Sequence, residues 1–260
     1  MTIDLSGQIV LVTGASRGIG AAIARRLGEA GATVALHYGS SRQRAEALAQ
    51  GIGAGSRSFG ADLSTSGAAT ALWDDMIAAY GRVDAVVANA GVFVEAPWDA
   101  PLAEWLDAWD RTLSINLRSV GELARAAGVY ARERMDAGSA NDSGVALRFV
   151  TVSSRAAYRG DDPEYLAYAA SKGGLVALTK SLARAGRGLA AFGVAPGFTR
   201  TDMAAPYVEQ HGEATVLAQG ALGRLTEPDD VAPMVVLLVS GLADHATGTT
   251  VDVNAASFVR

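Results

Sequence analysis

Short apolar runs alternate along the chain with longer stretches in which apolar residues recur at helical spacing. The runs are rich in β-branched residues and are typical of strands buried on both faces, whereas the periodic stretches are typical of helices. The pattern predicts strands at residues 9–12, 33–37, 57–60, 83–89, 147–152, 190–194 and 249–253. It predicts helices at 43–50 and 70–80, one or two long helices at 102–135, and a helix after the first strand that closes at 30–31.

The alternation of strands and helices predicts an α/β fold, in which a parallel sheet carries helices on both faces. No repeat, linker or low-complexity tract interrupts the pattern. Glycine and serine cluster at 51–58 and 138–144, where loops inside one domain are expected. A single domain over residues 1–260 is therefore predicted.

Composition narrows the possible functions. The 260 residues, 50% of them hydrophobic, are enough for a sizeable core, and the net charge of −5 offers no basic surface for nucleic acid. The absence of cysteine excludes disulfides, thiolate nucleophiles and cysteine-ligated metal, and the three histidines show no metal-ligand spacing. The amino terminus lacks the features of a signal peptide, and the longest apolar run, 231–239, is too short to span a bilayer. We expect a cytoplasmic protein with no metal, no nucleic-acid partner and no membrane anchor.

A glycine-rich turn, Thr13-Gly14-Ala15-Ser16-Arg17-Gly18-Ile19-Gly20, joins the first predicted strand to the first helix. Glycine permits the tight turn, lets backbone N–H groups approach a pyrophosphate and lets the helix pack on the strand. The amino end of the helix then presents unpaired N–H groups and a positive dipole end to the phosphates. This context predicts a dinucleotide-binding turn; the alternative is a glycine-rich connection without a ligand.

The end of the second strand indicates which dinucleotide binds. Units that bind NAD usually carry an acidic residue there, but residues 36–42 read Leu-His-Tyr-Gly-Ser-Ser-Arg and contain no carboxylate. Arg17 and Arg42 can face a 2′-phosphate, and Ser40 and Ser41 can donate hydrogen bonds to it. NADP(H) is therefore predicted in preference to NAD(H), unless both arginines are ordinary solvated side chains.

Tyr168 and Lys172 lie four residues apart, a spacing that no other tyrosine and lysine share in this order. On a helix the two side chains occupy one face. An ammonium group beside a phenol favours the phenolate, so we expect the pKa of Tyr168 to fall towards neutrality, where a tyrosine can exchange a proton with an alcohol or a carbonyl. The alternative is a half-buried tyrosine beside a solvated lysine.

The helix that carries this pair has recognisable ends. Asp162 is predicted as its cap, Pro163 as its first residue, and Gly186 or Gly188 as its end. The glycine pair at 173–174 costs roughly 1 kcal/mol per residue relative to alanine. The cost indicates that something approaches the backbone closely there, and our hypothesis is a partner helix from another subunit; the alternative is simple tolerance.

Together these residues make the chain resemble the classical short-chain dehydrogenase/reductase family over nearly its whole length. The family's motifs occur in the family's order: the turn from Thr13 to Gly20, Asp62-Leu63, Asn89-Ala90-Gly91, Asn116, Ser154, Tyr168-x-x-x-Lys172 and Pro196-Gly197. Val194-Ala195-Pro196-Gly197-Phe198 and Thr201-Asp202-Met203 are similar to the 3-oxoacyl-[acyl-carrier-protein] reductase-like group. The resemblance implies a single-domain Rossmann fold, with a doubly wound parallel sheet of about seven strands and the site at the carboxyl ends of the strands.

The resemblance also implies roles. Tyr168 would act as general acid in reduction and as base in oxidation, and Lys172 would lower its pKa and hold the nicotinamide ribose. Ser154 would hydrogen-bond the substrate oxygen, and Asn116 would hold a water that links Lys172 to solvent. Hydride would pass between the nicotinamide and the substrate carbon. The expected cofactor contacts are Gly14, Ser16, Arg17, Gly18, Ile19, Gly20, Tyr38, Ser40, Ser41, Arg42, Asp62, Leu63, Asn89, Ala90, Gly91, Tyr168, Lys172, Pro196, Gly197, Thr199 and Thr201.

Three departures from the family pattern bear on these expectations. The interval from Ser154 to Tyr168 is one residue longer than usual, which leaves Ser153 as an alternative for the serine role. The stretch 184–188 is slightly short, which should shorten the end of the catalytic helix. Residues 252–256 lack the family's frequent Asp-Gly-Gly. Because that end often joins subunits in the family, the departure weakens the case for the family's usual homotetramer. We expect a homo-oligomer that is either a tetramer or a dimer.

The sequence leaves the substrate open. Residues 199–222 are expected to cover the site as a lid. The side chains expected near the substrate are Phe93, Val94, Arg155, Tyr158, Met203, Pro206, Tyr207 and Val216. Candidate substrates are a 3-oxoacyl thioester, a sugar, a cyclic ketone or alcohol, and a quinone. A non-catalytic nucleotide sensor and an extended epimerase or dehydratase are the alternatives to a reductase, but the complete catalytic set argues against the first and the chain length against the second.

Overall fold

The computed structural model describes residues 2–138 and 144–260. Most of the glycine and serine cluster predicted as a loop at 138–144 therefore lies outside the described residues. Between 51 and 58, residues 53–56 form a loop between a helix and a strand, in agreement with the prediction for that cluster.

The described chain contains seven parallel strands in one sheet, which confirms the predicted fold class. The strands are β1 (Ile9–Val12), β2 (Thr33–Tyr38), β3 (Arg57–Gly60), β4 (Ala85–Ala88), β5 (Leu147–Val152), β6 (Leu189–Pro196) and β7 (Thr250–Val253). Their order across the sheet is β3-β2-β1-β4-β5-β6-β7. The strand order reverses at β1, which pairs with β2 on one side and β4 on the other. Ligands of such sheets bind outside the carboxyl ends of the strands at this reversal.

Helices connect the strands and cover both faces of the sheet. The α-helices are α1 (Gly18–Glu29), α2 (Arg42–Ile52), α3 (Ala68–Tyr80), α4 (Leu102–Leu113), α5 (Ser119–Asp136), α6 (Ala156–Arg159), α7 (Leu166–Ala185), α8 (Ala205–His211), α9 (Glu213–Leu217) and α10 (Pro228–Val239). Short 3₁₀ turns occur at Pro163–Tyr165 and Asp244–Ala246. Within the described ranges, no helix combines the length and apolarity needed to cross a membrane.

Each face of the sheet has its own hydrophobic core. On one face Val150 and Phe192 pack with residues of α1 and α10. On the other face Phe149 and Ala191 pack with residues of α3, α5 and α7. Burial of both faces explains why the strands are continuous apolar runs in the sequence. Polar chemistry is therefore concentrated at the strand ends and in the loops that follow them.

The periodic stretch at 102–135 contains two helices with an irregular junction. A π-helical turn, Ser114–Arg118, joins α4 to α5 and contains the buried Asn116. Such turns are rare and occur frequently at functional sites. Asn116 therefore owes its position to a local distortion that the residue pattern does not predict.

The predicted start of the catalytic helix is wrong by one turn. Pro163 begins the 3₁₀ turn, and α7 itself begins at Leu166. The Asp162 side chain does not cap the helix; it accepts a hydrogen bond from the Tyr207 hydroxyl at 3.2 Å. The predicted end at Gly186 is confirmed, since this residue follows α7 with a φ of +58°.

The glycine pair of α7 has a packing partner within the same chain. A Cβ at Gly174 would lie 2.8 Å from Leu117 Cδ2, so the π-helical turn approaches α7 at this position. At Gly173 the nearest atom to such a Cβ is Ala157 O at 3.8 Å, which is an ordinary contact distance. Close approach therefore explains Gly174 without a second subunit, and it brings the π-helical turn against the helix of Tyr168 and Lys172.

Candidate active site

The glycine-rich turn between β1 and α1 has the backbone shape that an anion requires. Gly14 has a φ of +65°, and a Cβ at Gly20 would overlap Gly14 O and Asn89 Nδ2. Glycine is therefore required at both positions. Arg17 precedes α1 without a side-chain cap, which leaves the first N–H groups of the helix available to a ligand.

The ends of β1 and β4 are joined by two polar side chains. The Thr13 hydroxyl accepts the N–H groups of Asn89 and Ala90 at 3.0 and 2.9 Å. Asn89 Nδ2 in turn donates to Thr13 O at 2.8 Å and to Gly14 O at 3.2 Å. These bonds fix the glycine turn against the neighbouring strand.

His37 is a site residue that sequence reasoning missed. Its Nδ1 accepts the N–H of Gly14 at 3.1 Å, so its proton lies on Nε2, which is 3.0 Å from Ala61 O. Burial lowers the pKa of His37, although the hydrogen bond to Ala61 opposes this shift. The neutral side chain thus couples the glycine turn to the end of β3. The available signal was a histidine inside an otherwise apolar strand.

At the end of β2, some predicted cofactor residues line the cavity and others do not. Ser40 and Ser41 line it. Arg42 forms an exposed ion pair with Glu46 at 2.7 Å and does not line the cavity. Tyr38 also lies outside the lining set, with its ring against Gly60.

A cation pair that the sequence did not reveal lies at the mouth of this region. Arg17 lines the cavity, and its Nη1 is 3.4 Å from Asp202 Oδ2. Arg44 Nη1 lies 3.5 Å from the same oxygen. All three side chains are exposed, so the contacts are easily exchanged for another anion. Asp202 thus contacts two guanidinium groups, and it lines the same cavity as Ser40 and Ser41.

Asp62 and Leu63 follow β3 and both line the cavity. Asp62 Oδ1 accepts the N–H and the hydroxyl of Ser64 at 3.0 and 2.7 Å. These hydrogen bonds hold the pKa of Asp62 below its usual value. The aspartate is therefore a turn-forming residue in this structure that also borders the cavity.

Tyr168 and Lys172 lie one turn apart on α7 and both line the cavity. Lys172 Nζ donates to Val152 O at 2.9 Å and lies 5.6 Å from the centroid of the Tyr168 ring. The ring of Phe93 packs edge-on against Tyr168, with centroids 4.8 Å apart. The tyrosine is thus enclosed by α7, the end of β5 and the loop after β4.

The expected fall in the tyrosine pKa is wrong for the protein without ligands. Burial raises the pKa of Tyr168 to about 12, and a hydrogen bond with Ser154 opposes the shift. Burial also lowers the pKa of Lys172 to about 8. Desolvation is therefore the main cause of both shifts. At neutral pH the phenol is protonated and is ready to give a proton.

The two adjacent serines after β5 differ in their contacts. Ser153 is buried, and its hydroxyl donates to Lys172 O at 2.9 Å. The Ser154 hydroxyl accepts the N–H of Ala156 at 3.1 Å and interacts with the Tyr168 phenol. The geometry therefore favours Ser154 over Ser153 as the hydroxyl next to the Tyr168 phenol.

Asn116 lies behind the cavity, outside its lining. Its Oδ1 accepts the N–H of Val92 at 2.8 Å, and its Nδ2 donates to Val92 O at 2.9 Å and to Ser171 Oγ at 3.1 Å. A Cβ at Gly91 would lie 3.3 Å from Asn116 Oδ1 and 3.5 Å from Lys172 Nζ. The amide thus joins the loop after β4 to α7 beside the lysine.

The substrate end of the cavity combines aromatic and charged side chains from separate segments. Phe93 stacks on Tyr165 with centroids 3.8 Å apart. Arg155, Met203 and Tyr207 line the cavity as predicted. The other predicted pocket residues, Val94, Tyr158, Pro206 and Val216, do not line it. The lining residues that were not predicted include Arg159 and Asp161, which form an ion pair at 3.2 Å.

One cavity of about 590 Å³ contains these groups. It brings together every predicted cofactor residue except Tyr38 and Arg42: Gly14, Ser16, Arg17, Gly18, Ile19, Gly20, Ser40, Ser41, Asp62, Leu63, Asn89, Ala90, Gly91, Tyr168, Lys172, Pro196, Gly197, Thr199 and Thr201. The residues fit a nicotinamide dinucleotide, because the turn at Gly14 and Gly20 has no room for side chains while the helix that follows offers free N–H groups.

Comparison with known proteins gives the same assignment. A family model described as enoyl-(acyl carrier protein) reductase matches residues 14–255. The 3beta-hydroxysteroid dehydrogenase 1 of Eggerthella lenta is 33% identical over 257 residues, which cover 96% of this chain and 94% of the relative.

Two solved structures are also similar. A short-chain dehydrogenase from Burkholderia cenocepacia in complex with NADP has a TM-score of 0.83 and 36% identity over 97% of this chain and 98% of its own. The 3-ketoacyl-(acyl-carrier-protein) reductase of Brucella melitensis complexed with NADH has a TM-score of 0.86 and 28% identity over 98% of this chain and 100% of its own. The chain therefore belongs to the classical short-chain dehydrogenase/reductase family, is similar to the 3-oxoacyl-[acyl-carrier-protein] reductases, and is an NAD(P)-dependent oxidoreductase acting on C=O or CH–OH groups.

Proposed function

We propose that this protein is an NADP(H)-dependent reductase of a carbonyl compound, running in reverse as a secondary-alcohol dehydrogenase, with Tyr168 as general acid and base. The observation that carries this proposal is the single cavity in which the Tyr168 phenol, the Ser154 hydroxyl and the Lys172 ammonium meet the glycine turn. A binding protein has no need of a proton donor at this position.

Tyr168 moves the proton. In reduction its phenol gives a proton to the substrate oxygen, while Ser154 donates a hydrogen bond to the same oxygen as negative charge develops there. The raised pKa of about 12 keeps the phenol protonated until the substrate oxygen becomes basic. Lys172, with a positive charge below its pKa of about 8, stabilises the phenolate that results.

The cofactor would supply the hydride that the protein itself lacks. The turn from Gly14 to Gly20 would hold its pyrophosphate. Asp62 and Leu63 would border the adenine, and Lys172 would bond the nicotinamide ribose. Pro196 and Gly197 would border the nicotinamide. A Cβ at Gly197 would lie 2.8 Å from Asn254 Cα, so two backbone segments are in close contact at this point of the cavity wall.

NADP(H) is proposed over NAD(H). Ser40 and Ser41 line the cavity, and Arg17 and Arg44 share Asp202, an anion that a 2′-phosphate could replace. The two solved relatives hold NADP in one case and NADH in the other. The test is kcat/KM with each reduced nucleotide, for which we expect a preference for NADPH of at least about tenfold that falls in Arg17→Gln. Equal values for both nucleotides would contradict the preference.

Asn116 is proposed as a positioning residue. Its amide holds the backbone of Val92 and the hydroxyl of Ser171, next to Lys172. The water that would link Lys172 to solvent stays a prediction, and Asn116 Oδ1 has one lone pair left to accept it.

A homo-oligomer is proposed from the apolar surface near α4. Leu102 and Leu106 of this helix and the preceding Trp98 are all exposed, and Leu102 and Trp98 each expose about 70% of their surface. Exposed patches of this kind mark association surfaces. Light scattering should report a dimer or a tetramer; a monomer at working concentration would contradict this proposal. A cytoplasmic location stays a prediction.

The experiment that tests the function is a nucleotide-oxidation screen. NADPH and NADH are each offered with cyclic ketones, sugars, quinones, oxo acids and 3-oxoacyl thioesters, the last being the substrate class of the similar acyl-carrier-protein reductases. We expect turnover of at least one carbonyl class and its loss in Tyr168→Phe. Tight nucleotide binding without any turnover would instead support the nucleotide sensor.

A further inference from the structure

Arg155 is a buried cation at the substrate end of the cavity. It directly follows Ser154, lines the cavity and exposes 5% of its surface. Among the described residues its guanidinium has one side-chain partner, Gln219, whose Oε1 accepts a hydrogen bond at 2.6 Å. A guanidinium carries five N–H donors. Within the described chain, one neutral amide therefore leaves most of these donors unused and puts no counter-charge in direct contact with the guanidinium.

The nearby carboxylates are committed elsewhere. Asp161 lines the same end of the cavity, but its Oδ1 is 3.2 Å from Arg159 Nη2 and accepts the N–H of Asp162 at 3.1 Å. Asp162 itself accepts the Tyr207 hydroxyl. No ion pair joins Arg155 to a carboxylate within the part of the chain that the structure describes. The Asp161 charge raises the pKa of Arg155 against the larger effect of burial, but the direct contacts of both carboxylates go to other groups. The guanidinium beside Ser154 is therefore free to pair directly with an entering anion.

The acidic groups farther out form no ion pair with Arg155 among the described residues either, and they lie near a different side chain. Glu95 and Glu164 lie near Tyr165, whose pKa is raised mainly by burial and further by these carboxylates. Neither glutamate lines the cavity. Arg155, by contrast, belongs to the cavity lining.

A buried charge without a counter-charge is costly, and folding alone gives no reason to keep it. Burial lowers the pKa of Arg155, which reflects that cost. An apolar side chain of similar length would fill the same space. An arginine retained here is explained if an anion enters the cavity, and the planar guanidinium fork matches a carboxylate in a two-bond geometry.

We propose that the substrate is an oxo acid, or the matching hydroxy acid, whose carboxylate binds Arg155 while its reacting oxygen lies between Ser154 and Tyr168. Arg155 and Tyr168 line the same cavity, and the charge of Arg155 lowers the pKa of Tyr168 against the larger effect of burial, so the guanidinium lies near the phenol and one short acid can reach both. The inference rests on the proposed function and narrows it. A neutral 3-oxoacyl thioester or cyclic ketone would leave Arg155 unmatched.

The carboxylate takes no part in the bond changes. In the proposed reaction the carbonyl carbon would gain the hydride that bound NADPH supplies, and the carbonyl oxygen would gain the proton of Tyr168, giving the alcohol and NADP⁺. The tyrosine would then regain a proton from solvent. Arg155 only holds the substrate in register with Ser154. It also ties the lid, since Gln219 lies in the segment 199–222.

The test compares each acid with its own methyl ester. Short 2-, 3- and 4-oxo acids and their esters are titrated into the wild-type protein with NADP⁺ present, and binding is measured by calorimetry. We expect at least one acid to bind about 10- to 100-fold more tightly than its ester, as a charge-assisted pair predicts. The difference should vanish in Arg155→Met and survive in part in Arg155→Lys.

Two control variants separate the alternatives. The double variant Arg159→Met/Asp161→Asn removes an ion pair from the same cavity at no change in net charge and leaves no freed carboxylate for Arg155, so the acid preference should remain. Gln219→Ala removes the lid bond and leaves the cation, so the preference should also remain. Loss of the preference in Gln219→Ala to the same extent as in Arg155→Met would instead assign Arg155 a purely structural role.

The outcomes separate this inference from the proposed function. Tyr168→Phe should lose turnover but keep the preference for the acid, because binding needs no proton transfer. If no acid in the panel binds more tightly than its ester, the inference is overturned even when neutral ketones are reduced. If acids bind selectively but are never reduced, the proposed function fails while the anion site stands.

Discussion

The two ends of the cavity are built in different ways. The cofactor end is mostly backbone: the turn at Gly14 and Gly20, the free N–H groups of α1 and the strand ends of the switch between β1 and β4. The substrate end is side chains drawn from separate segments, including Phe93, Arg155 and Tyr207. The cofactor end depends on the order of the strands and can serve any substrate. The substrate end depends on loops and determines which substrate binds.

The largest effect is expected from a substitution that disrupts the cofactor end of the cavity, which is built mostly from backbone. Gly20→Ala puts a Cβ onto Gly14 O and Asn89 Nδ2, so the turn must open. We expect NADPH affinity to fall by at least about 100-fold, since the pyrophosphate loses several aligned N–H groups at once. Fluorescence titration of NADPH measures the affinity.

The matched control is Gly121→Ala in α5, where a Cβ would meet no atom within 4 Å. Alanine is the better helix former there, so NADPH affinity should be unchanged and stability should rise by up to about 1 kcal/mol. An equal loss of affinity in both variants would contradict the backbone account.

The next largest effect distinguishes the roles of two adjacent serines, which lie where the cofactor end of the cavity meets the substrate end. Ser154→Ala removes the hydroxyl beside the Tyr168 phenol, and we expect kcat to fall by about 10²–10³ at unchanged melting temperature. Ser153→Ala removes the bond to Lys172 O. It should cost about 1 kcal/mol of stability and keep most of the activity. The reverse pattern would assign the serine role to Ser153.

A smaller effect tests burial of the lysine. The pKa of Lys172 is about 8 in the folded chain against 10.5 when unperturbed, so between these values unfolding takes up a proton and stability rises with pH. The unfolding free energy of the wild type should therefore gain about 2 kcal/mol relative to Lys172→Met between pH 8 and pH 10. Urea denaturation at each pH measures the difference, and a constant difference would contradict the shifted pKa.

The smallest effect concerns the carboxyl terminus, where Asn254 packs against Gly197. Ala255 and Ala256 have φ angles of +51° and +55°, so the chain keeps the left-handed backbone where the family often has glycine. Ala255→Gly should stabilise the protein by up to about 1 kcal/mol, because relief of the strain exceeds the added entropy of the unfolded chain. Ala30→Gly, at a φ of −83°, should destabilise it by a similar amount. Thermal unfolding distinguishes the two signs; the same sign in both variants would contradict the strain at Ala255.

Much of the backbone end could be predicted from sequence because local rules determine it. The glycine turn follows a buried strand, and the spacing of Tyr168 and Lys172 places both on one helix face. His37 and Arg44 were missed because their roles depend on partners in distant segments, Gly14 in one case and Asp202 in the other. No local pattern reports such partners.

For the substrate end, the sequence could predict only which residues lie near the pocket, and not how they interact with one another. Arg155 was expected near the pocket, but its lack of an ion pair depends on Asp161 being committed to Arg159. The pKa of Tyr168 was predicted in the wrong direction for a related reason. The spacing of Tyr168 and Lys172 is visible in the sequence, whereas the burial that raises the pKa of Tyr168 appears only in the folded chain.

The most direct test of the central claim, that Tyr168 transfers the proton beside a bound NADP(H), measures two quantities on Tyr168→Phe. NADPH binding should stay within about threefold of the wild type, because the phenol contributes at most one hydrogen bond. The kcat for carbonyl reduction should fall by about 10²–10⁴, the usual contribution of a positioned acid. A kcat within tenfold of the wild type, with NADPH still bound, would contradict the claim.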